Sequence, residues 1–205
     1  MRRSIKYALL IILVLPALST AQSNVTGLGK YVIGITTPDS LAPTEFAEEE
    51  QSYVKGTIAL PCSHIRTFTS ALVTIADVAV ANVVLVFYDD TLFKISCDYS
   101  APLKAAFVKQ HGPGIARPMS RFQFCTTEKH TPLSLWGESW PGVDRLTLVV
   151  HRKGYTADCK WEEGARLTIV SQSILALTSD CDLKPADLFV DEFSKVQLDS
   201  QGKQR

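Results

Sequence analysis

The residues best able to do chemistry, the histidines and cysteines, are spread along the 205-residue chain. Two close pairs combine metal-ligating types, Cys62 with His64 and Cys125 with His130. A zinc ion needs four protein ligands, or three and a water molecule, so two residues at one corner do not predict a site. The other two histidines stand apart from both pairs. The sequence therefore predicts neither a metal nor another cofactor.

The sequence also lacks the short motifs of the common enzyme classes. It contains no Gly-x-Ser-x-Gly elbow, no phosphate-binding P-loop, no His-Glu-x-x-His and no Cys-x-x-Cys. Asp89 and Asp90 could act as paired carboxylates, but adjacent short acidic residues after an apolar run are also typical of a hairpin turn. We interpret them as a turn and predict no catalytic residue.

Three tryptophans are the remaining candidates for a functional surface. Trp136 and Trp140 lie just before a Pro141-Gly142 turn, and Trp161 follows later in the chain. Aromatic side chains with a polar edge suit a ligand surface, and they suit the core of a sheet equally well. The predicted binding patch comprises Trp136, Trp140, Arg145, Tyr155 and Trp161.

The N-terminus predicts export from the cytoplasm. Arg2, Arg3 and Lys6 precede an apolar run, Ala8 to Leu18, and small residues follow at positions 19–21. This is the pattern of a secretory signal peptide. The 11 apolar residues are too few to span a bilayer of about 30 Å, so we expect no permanent membrane anchor. We predict a signal peptide over residues 1–21, a flexible leader over 22–30, one domain over 31–198 and a flexible tail over 199–205, in a periplasmic or secreted protein.

The five cysteines predict disulfide bonds, because an exported chain meets an oxidising environment. The odd number leaves at least one thiol free or bonded to another chain. Cys125 and Cys159 both fall in predicted strands of the second half, so we favour that pair. The candidate disulfide residues are Cys62, Cys97, Cys125, Cys159 and Cys181.

The organising unit of the fold is predicted over residues 82–113. Val83–Tyr88 is an unbroken run of β-forming residues, typical of a strand buried on both faces. Ser100 fits the N-cap of a helix over 100–111, which Gly112 and Pro113 would end. Between them, the alternating strand 91–99 would place Phe93, Ile95, Cys97 and Tyr99 on a buried face and Lys94, Ser96 and Asp98 on a solvated face.

Short strands separated by turns make up the other predicted elements. We expect strands at 31–35, 57–60, 121–127, 133–140 and 146–151, and two β segments within 67–81, one on either side of Asp77. Turns are expected at Lys153-Gly154 and Glu162-Glu163-Gly164, with Tyr155, Ala157, Cys159 and Trp161 on one face of a strand between them. Helical turns are expected within 45–50, a loop over 115–120 and a second helix over 185–198.

These elements resemble small uncharacterised periplasmic proteins of Gram-negative bacteria. The resemblance rests on residues 31–35, the hairpin 86–95, the helix ending at His111-Gly112-Pro113 and the strand region around Trp140. In those proteins a strand, an acidic turn and a second strand lead into a helix that ends near Tyr-Gly-x-Pro, and residues 110–113 here depart from that ending. The resemblance implies an envelope location and a two-layer α+β fold, and it implies no catalytic residue.

The sequence thus predicts an α+β fold, an antiparallel β-sheet meander with one or two helices packed on one face. Its predicted function is that of an exported, non-catalytic binding or envelope-interaction protein. The alternatives are a secreted inhibitor or effector acting on a protein partner, or an enzyme whose site sequence does not reveal. The expected partner is a protein of the envelope or the exterior. Nucleic acid is not expected, because residues 22–205 contain 18 basic and 21 acidic side chains.

Overall fold

An antiparallel β-sheet of eight strands is the main element of the computed structural model, which describes residues 24–50, 62–125, 131–178 and 181. Two helices and a separate two-stranded hairpin accompany it, so the predicted α+β fold with an antiparallel sheet is confirmed. The strands are β1 Gly27–Leu28, β2 Tyr31–Val32, β3 Ala47–Glu49, β4 Ile65–Ile75, β5 Val78–Tyr88, β6 Thr91–Asp98, β7 Ile115–Phe122, β8 Leu133–Pro141, β9 Arg145–Tyr155 and β10 Trp161–Ser171. The helices are α1 Ala101–His111 and α2 Gln172–Leu177, and Pro38–Ser40 forms a 3₁₀ turn.

The strand order of the sheet is β3-β4-β5-β6-β10-β9-β8-β7. It consists of two meanders, β3 to β6 and β7 to β10, in which neighbours in sequence are also neighbours in space. Helix α1 connects the meanders along the chain, and pairing of β6 with β10 joins them in the sheet, with Cys97 opposite Leu167. The two-meander arrangement leaves β3 and β7 at the edges.

Much of β5 and β6, in the first half of the sheet, is covered on both faces. Helix α1 and residues 24–46 cover one face, which we call the helix face, and Leu85, Phe87 and Ile95 are fully buried there. Val84 and Val86 point to the opposite face and pack in a second cluster with residues of α2. An uninterrupted apolar strand is the expected sequence for such a position. Helix α1 fits the predicted layer, whereas α2, which the sequence did not predict, lies on the opposite face.

Tight turns close the hairpins on both sides of β5. Asp89 and Asp90 have φ values of 46° and 57°, and Ala76 and Asp77 have φ values of 48° and 63°. Two successive residues in the left-handed region define a type I′ turn, whose twist matches that of the strands it joins. Both the predicted Asp89-Asp90 turn and the predicted division of 67–81 at Asp77 are confirmed.

Helix α1 begins and ends where the sequence places it. The Ser100 hydroxyl accepts a hydrogen bond from the Leu103 amide at 3.5 Å, which satisfies one donor of the first turn. Gly112 follows the last turn with φ 75°, a conformation that glycine adopts without strain. Leu103 and Phe107 are the buried residues of the helix and fix it to the sheet.

The predicted faces of β6 are wrong at two residues. A β-bulge places Phe87 opposite Leu92 and Val86 opposite Lys94, so Phe93 is the extra residue and turns to the face away from α1. Ser96, expected in solvent, is buried and its hydroxyl lies 3.1 Å from that of Thr168 on β10. The alternation misled because Ser96 lies in the middle of the sheet, between Val84 of β5 and Thr168 of β10.

Two predicted turns in the second half are wrong, because they are parts of long strands. Lys153 and Gly154 lie within β9, where a side chain at Gly154 would lie 2.4 Å from the Pro132 carbonyl oxygen. The glycine there permits a close approach and does not reverse the chain. Residues 162–164 lie within β10 and pair with 152–154 of β9. The reversal is at residues 156–160, so the predicted strand through Ala157 and Cys159 is also wrong.

Two other segments expected outside the sheet form its edges. Residues 115–120, predicted as a loop, belong to β7, where Pro118 lies at an irregularity in the pairing with β8. Proline is tolerated at such an edge because no neighbouring strand needs its missing amide donor. The helical turns predicted within 45–50 are replaced by β3, which pairs with β4. These edges are short or irregular, as is usual for strands that must not recruit another chain.

Several predictions fall wholly or partly outside the described residues. These are the signal peptide (1–21), the strand 57–60, the helix 185–198, the tail 199–205 and, in part, the strand 121–127, of which only Arg121 and Phe122 are strand residues among those described. Within the predicted flexible leader, Val25 and Leu28 are buried and belong to the core of the helix face. None of the described helices is long and apolar enough to cross a lipid bilayer.

Two disulfide bonds brace the fold. Cys125 is bonded to Cys159, the pair favoured from the sequence, and Cys62 is bonded to Cys181 at the other end of the chain. Cys97 is a free, buried cysteine. Two bridges indicate an oxidising environment outside the cytoplasm.

Candidate functional site

Helix α1 covers only part of the helix face in the second half of the sheet. Trp140 lies beneath the helix, only 2% exposed, with its ring edge-on to Phe107 at 5.2 Å between centroids. Its indole nitrogen donates a hydrogen bond to the Gly112 carbonyl oxygen at 3.0 Å. A buried, fully hydrogen-bonded tryptophan is a core residue. Trp140 is therefore not part of a binding surface.

Beyond the helix, strands β8 to β10 present an area in which Lys153, Trp161 and Glu163 are exposed, and we call this area the open face. Its position follows from the pairing, since residues opposite one another in a sheet share a face. Trp136 lies opposite His151, and His151 lies opposite Ala165. Further along, Tyr155 lies opposite Trp161. The open face extends from the Trp136–His151 pair to the Tyr155–Trp161 pair.

The first aromatic pair of the open face is a stack. The Trp136 and His151 rings lie 5.2 Å apart between centroids with an interplanar angle of 8°. Tyr99, the last residue before the N-cap of α1, meets the His151 ring edge-on at 6.4 Å. Sequence reasoning missed His151, although the alternation of 146–151 places it on the same face as the buried Val149.

The second pair, Tyr155 and Trp161, has nearly perpendicular rings 5.3 Å apart. Trp161 is 46% exposed, which is unusual for so large an apolar side chain. The turn between the two residues carries Cys159, and the bridge to Cys125 ties that turn to the segment following β7. The disulfide therefore fixes the end of the hairpin that presents the two rings.

Two ion pairs complete the open face. Lys153 Nζ and Glu163 Oε1 lie 2.9 Å apart between the two ring pairs, and both side chains are about half exposed. Lys104 of α1 reaches Glu138 of β8 at 3.1 Å and marks the boundary with the covered part of the sheet. Exposed pairs of this kind add little stability. They do supply ammonium donors and carboxylate acceptors whose charges offset each other.

Burial keeps the titratable rings of this region neutral. Burial lowers the pKa of His151, and the nearby Lys104 ammonium lowers it further. Burial also raises the pKa of Tyr99, whose hydroxyl has no hydrogen-bond partner among the described residues. At neutral pH, Tyr99 is a phenol and His151 an uncharged imidazole. The free thiol nearby, Cys97, is fully buried with its pKa raised to about 12, so it is no nucleophile.

The structure thus brings together three of the five residues in the predicted patch. Trp136, Tyr155 and Trp161 share the open face, whereas Trp140 lies under α1. Arg145 lies opposite Ser171 at the far end of β9, about 20 Å along the strand from His151 at the usual rise per residue. Its proximity to the tryptophans in sequence does not bring it near them in space.

A second polar cluster lies at the opposite end of the sheet. Arg66 donates two hydrogen bonds to Glu48, at 2.7 and 2.9 Å, and a third to Asp90 at 2.9 Å. His64 Nδ1 lies 2.5 Å from Asp89 Oδ1. The hydrogen bonds from Arg66 lower the pKa of the Glu48 carboxyl. The cluster joins β3, β4 and the β5–β6 turn, and we interpret it as structural.

The sequence linked Asp89 with Asp90 but not with His64, Arg66 or Glu48, because the cluster comes from three separate segments. From the sequence, Cys62 and His64 were considered as two ligands of a metal site and were judged too few to form one. In the described part of the chain, no group of three or more histidine, cysteine, aspartate or glutamate side chains is disposed to hold a metal ion.

Comparison of the chain with protein-family models, with curated proteins and with solved structures found no match. The resemblance to periplasmic proteins therefore stays a prediction. The open face is the candidate site because of the arrangement of its own residues, without support from a related protein.

Proposed function

We propose that this chain is an exported, non-catalytic binding protein whose ligand lies on the open face. One observation carries the proposal: two aromatic pairs, Trp136–His151 and Tyr155–Trp161, share one face of the sheet, with Trp161 46% exposed. Leaving such a ring in water forfeits the favourable free energy of burying it. Aromatic side chains with polar edges are also the residues most often found at the centre of binding surfaces.

Export to the periplasm or the exterior is supported by two independent features. The pattern of a signal peptide in residues 1–21 is one. The two disulfide bonds are the other, since such bonds persist where the environment is oxidising. The resemblance to periplasmic proteins of Gram-negative bacteria points in the same direction.

The chemistry of the open face favours recognition over catalysis. Its charged residues are held in ion pairs, Lys153 with Glu163 and Lys104 with Glu138. A general base or nucleophile would need a titrating group poised near neutral pH and within reach of a substrate. The His151 ring is instead stacked against Trp136 and met edge-on by Tyr99.

Site-specific photo-crosslinking tests the binding function. The photoreactive residue p-benzoylphenylalanine replaces Trp161 in the full protein, which is then irradiated in an extract of its native envelope. The matched control carries the same residue in place of Leu72, which is 64% exposed on strand β4, away from the open face. We expect adducts from position 161 that position 72 does not form.

The mass and composition of the adduct then identify the kind of partner. An adduct with one defined protein would favour the inhibitor or effector alternative, in which the open face is a protein-binding surface. No adduct at 161, or the same adducts at 161 and 72, would contradict a ligand on the open face.

A further inference from the structure

The open face offers its rings at two separate places along one strand. His151 and Tyr155 are four residues apart on β9, which corresponds to about 13 Å in an extended strand. Each contacts an aromatic partner on a neighbouring strand, Trp136 for His151 and Trp161 for Tyr155. A ligand that contacts both pairs must therefore be extended along β9.

The positions between the ring pairs are polar. Ser134, Lys153 and Glu163 lie opposite one another across β8, β9 and β10. The Lys153 ammonium and the Glu163 carboxylate, 2.9 Å apart, offer donors and acceptors side by side. Groups that both donate and accept, such as hydroxyls, can bond to each member of this pair.

Charge and side-chain type narrow the class of ligand further. On strands β8 to β10, each of the two acidic side chains of the open face is paired with a lysine, so this part of the face attracts neither polyanions nor polycations strongly. On the open face, the described residues at the paired positions from Trp136–His151–Ala165 to Tyr155–Trp161 include no Leu, Ile, Val or Met; Leu135, between Ser134 and Trp136, points to the opposite face. Amphipathic helices and lipid surfaces are usually met by such aliphatic side chains.

We propose that the open face binds an extended, electrically neutral saccharide chain, an inference that rests on the proposed binding function. The C–H faces of sugar rings would pack on Trp161 and on the Trp136–His151 pair. Sugar hydroxyls would exchange hydrogen bonds with Lys153 and Glu163. A saccharide combines these apolar faces and hydroxyl groups in alternation, which matches the alternation of rings and ion pair along β9.

Affinity electrophoresis of the mature protein tests this inference directly. Native gels are cast with dextran, laminarin, hydroxyethyl cellulose or galactomannan, all neutral polysaccharides, and migration is compared with a gel that contains none. We expect at least one of them to retard the protein. Trp161→Ala should weaken the interaction by about tenfold, as for the loss of one well-packed aromatic contact, whereas Trp161→Phe keeps a ring and should retain most of it.

The control for these variants is Leu72→Ala, which removes an exposed apolar side chain from another part of the sheet and should leave retardation unchanged. Glu163→Gln is a second test of the site, because it unbalances the ion pair without removing a ring, and it should also weaken retardation. The urea midpoint of each variant shows that it is folded.

Two results would overturn the saccharide inference: no retardation in any neutral gel, or equal retardation of Trp161→Ala and the parent protein. The crosslinking experiment separates this failure from failure of the binding function. Adducts with a protein at position 161, without retardation by any polysaccharide, would leave the binding function intact and assign the open face to a polypeptide. Absence of both adducts and retardation would contradict both.

Discussion

The covered and the open parts of the helix face belong to the same three strands, yet their residues differ. Under α1, the strands carry Trp140, Val149 and Ile169, all buried. Beyond it, they carry Trp136, His151 and Trp161, together with an exposed ion pair. The difference shows that the reach of the helix decides where the core ends. Tryptophan serves both parts, as a packed core residue in one and as a presented ring in the other.

The largest expected effect is on stability, and it distinguishes two disulfide bonds. Cys62–Cys181 belongs to the covered half of the sheet, and Cys125–Cys159 lies beside the open face. Cys62–Cys181 closes a separation of 119 residues, and Cys125–Cys159 closes one of 34. Because a disulfide restricts the unfolded chain more when its loop is longer, Cys62→Ala/Cys181→Ala should lower the free energy of unfolding by about 4 to 5 kcal/mol and Cys125→Ala/Cys159→Ala by about 3 to 4 kcal/mol. Urea unfolding without reductant measures both.

The same pair of variants also sharpens the functional comparison. Cys125→Ala/Cys159→Ala should weaken crosslinking at position 161, since it frees the turn that presents Trp161, whereas the other double variant should not. Equal losses of crosslinking in both would show that the bridge to Cys125 has no particular role at the open face.

The next effect contrasts two tryptophans directly. Trp140→Ala should lower the free energy of unfolding by about 3 to 5 kcal/mol, because it leaves a cavity under α1 and removes the donor to the Gly112 carbonyl. Trp161→Ala should change it by less than about 0.5 kcal/mol, as is usual for exposed sites. Urea unfolding of the two variants measures the contrast, and similar losses would mean that Trp161 is a core residue as well.

The smallest expected effect is on the pH dependence of stability, and it concerns His151, which lies where the covered and open parts of the helix face meet. Because burial lowers the pKa of His151 in the folded state, the unfolded chain binds a proton more readily below about pH 6.5, and stability should fall as pH drops through that range. His151→Phe keeps a flat ring and removes the titration. The urea midpoint should therefore change less between pH 7.5 and pH 5.5 in the variant than in the parent.

Some pH dependence will remain in that variant, since burial lowers the pKa of His111 too. An identical pH dependence in variant and parent would show that His151 is no more buried than a surface histidine. Carboxylates with lowered pKa values, such as Glu48, lose their contribution at lower pH, outside this window.

Local signals made part of the fold predictable. Ser100 and Gly112 act on their own neighbours, so the limits of α1 follow from residue type alone. The Asp89-Asp90 turn is likewise local, because short side chains tolerate the left-handed backbone that it needs. The alternation from Leu146 to His151 is also a local signal, and it indicated a strand.

Features that depend on strand pairing were not predictable from one sequence. The sequence of residues 162–164 is typical of a turn. In the structure, however, Glu162 forms an ion pair with Arg152 of β9 at 3.2 Å, and Glu163 forms one with Lys153 at 2.9 Å. That pairing stabilises a strand, and it is visible only once the register is known. The β-bulge that turns Phe93 away from α1 has no signal of its own in the sequence.

The candidate site was predictable only as a list of aromatic residues. Trp136, Tyr155 and Trp161 share a face because of the registers of three strands, which composition does not encode. The burial of Trp140 depends on where Phe107 packs. His151 entered the site only through its pairing with Trp136.

The strand order has a consequence for the nascent chain. The last strand of the sheet, β10, lies at its centre against β6, and Ser96 and Thr168, which meet across that ladder, are 72 residues apart in sequence. The N-terminal meander leaves the ribosome first. The apolar edge of β6 that pairs with β10 therefore stays unpaired until β10 has been synthesised. Such an edge is a template for pairing with other chains. We therefore expect the incomplete chain to need a chaperone that prevents aggregation until β6 has paired with β10.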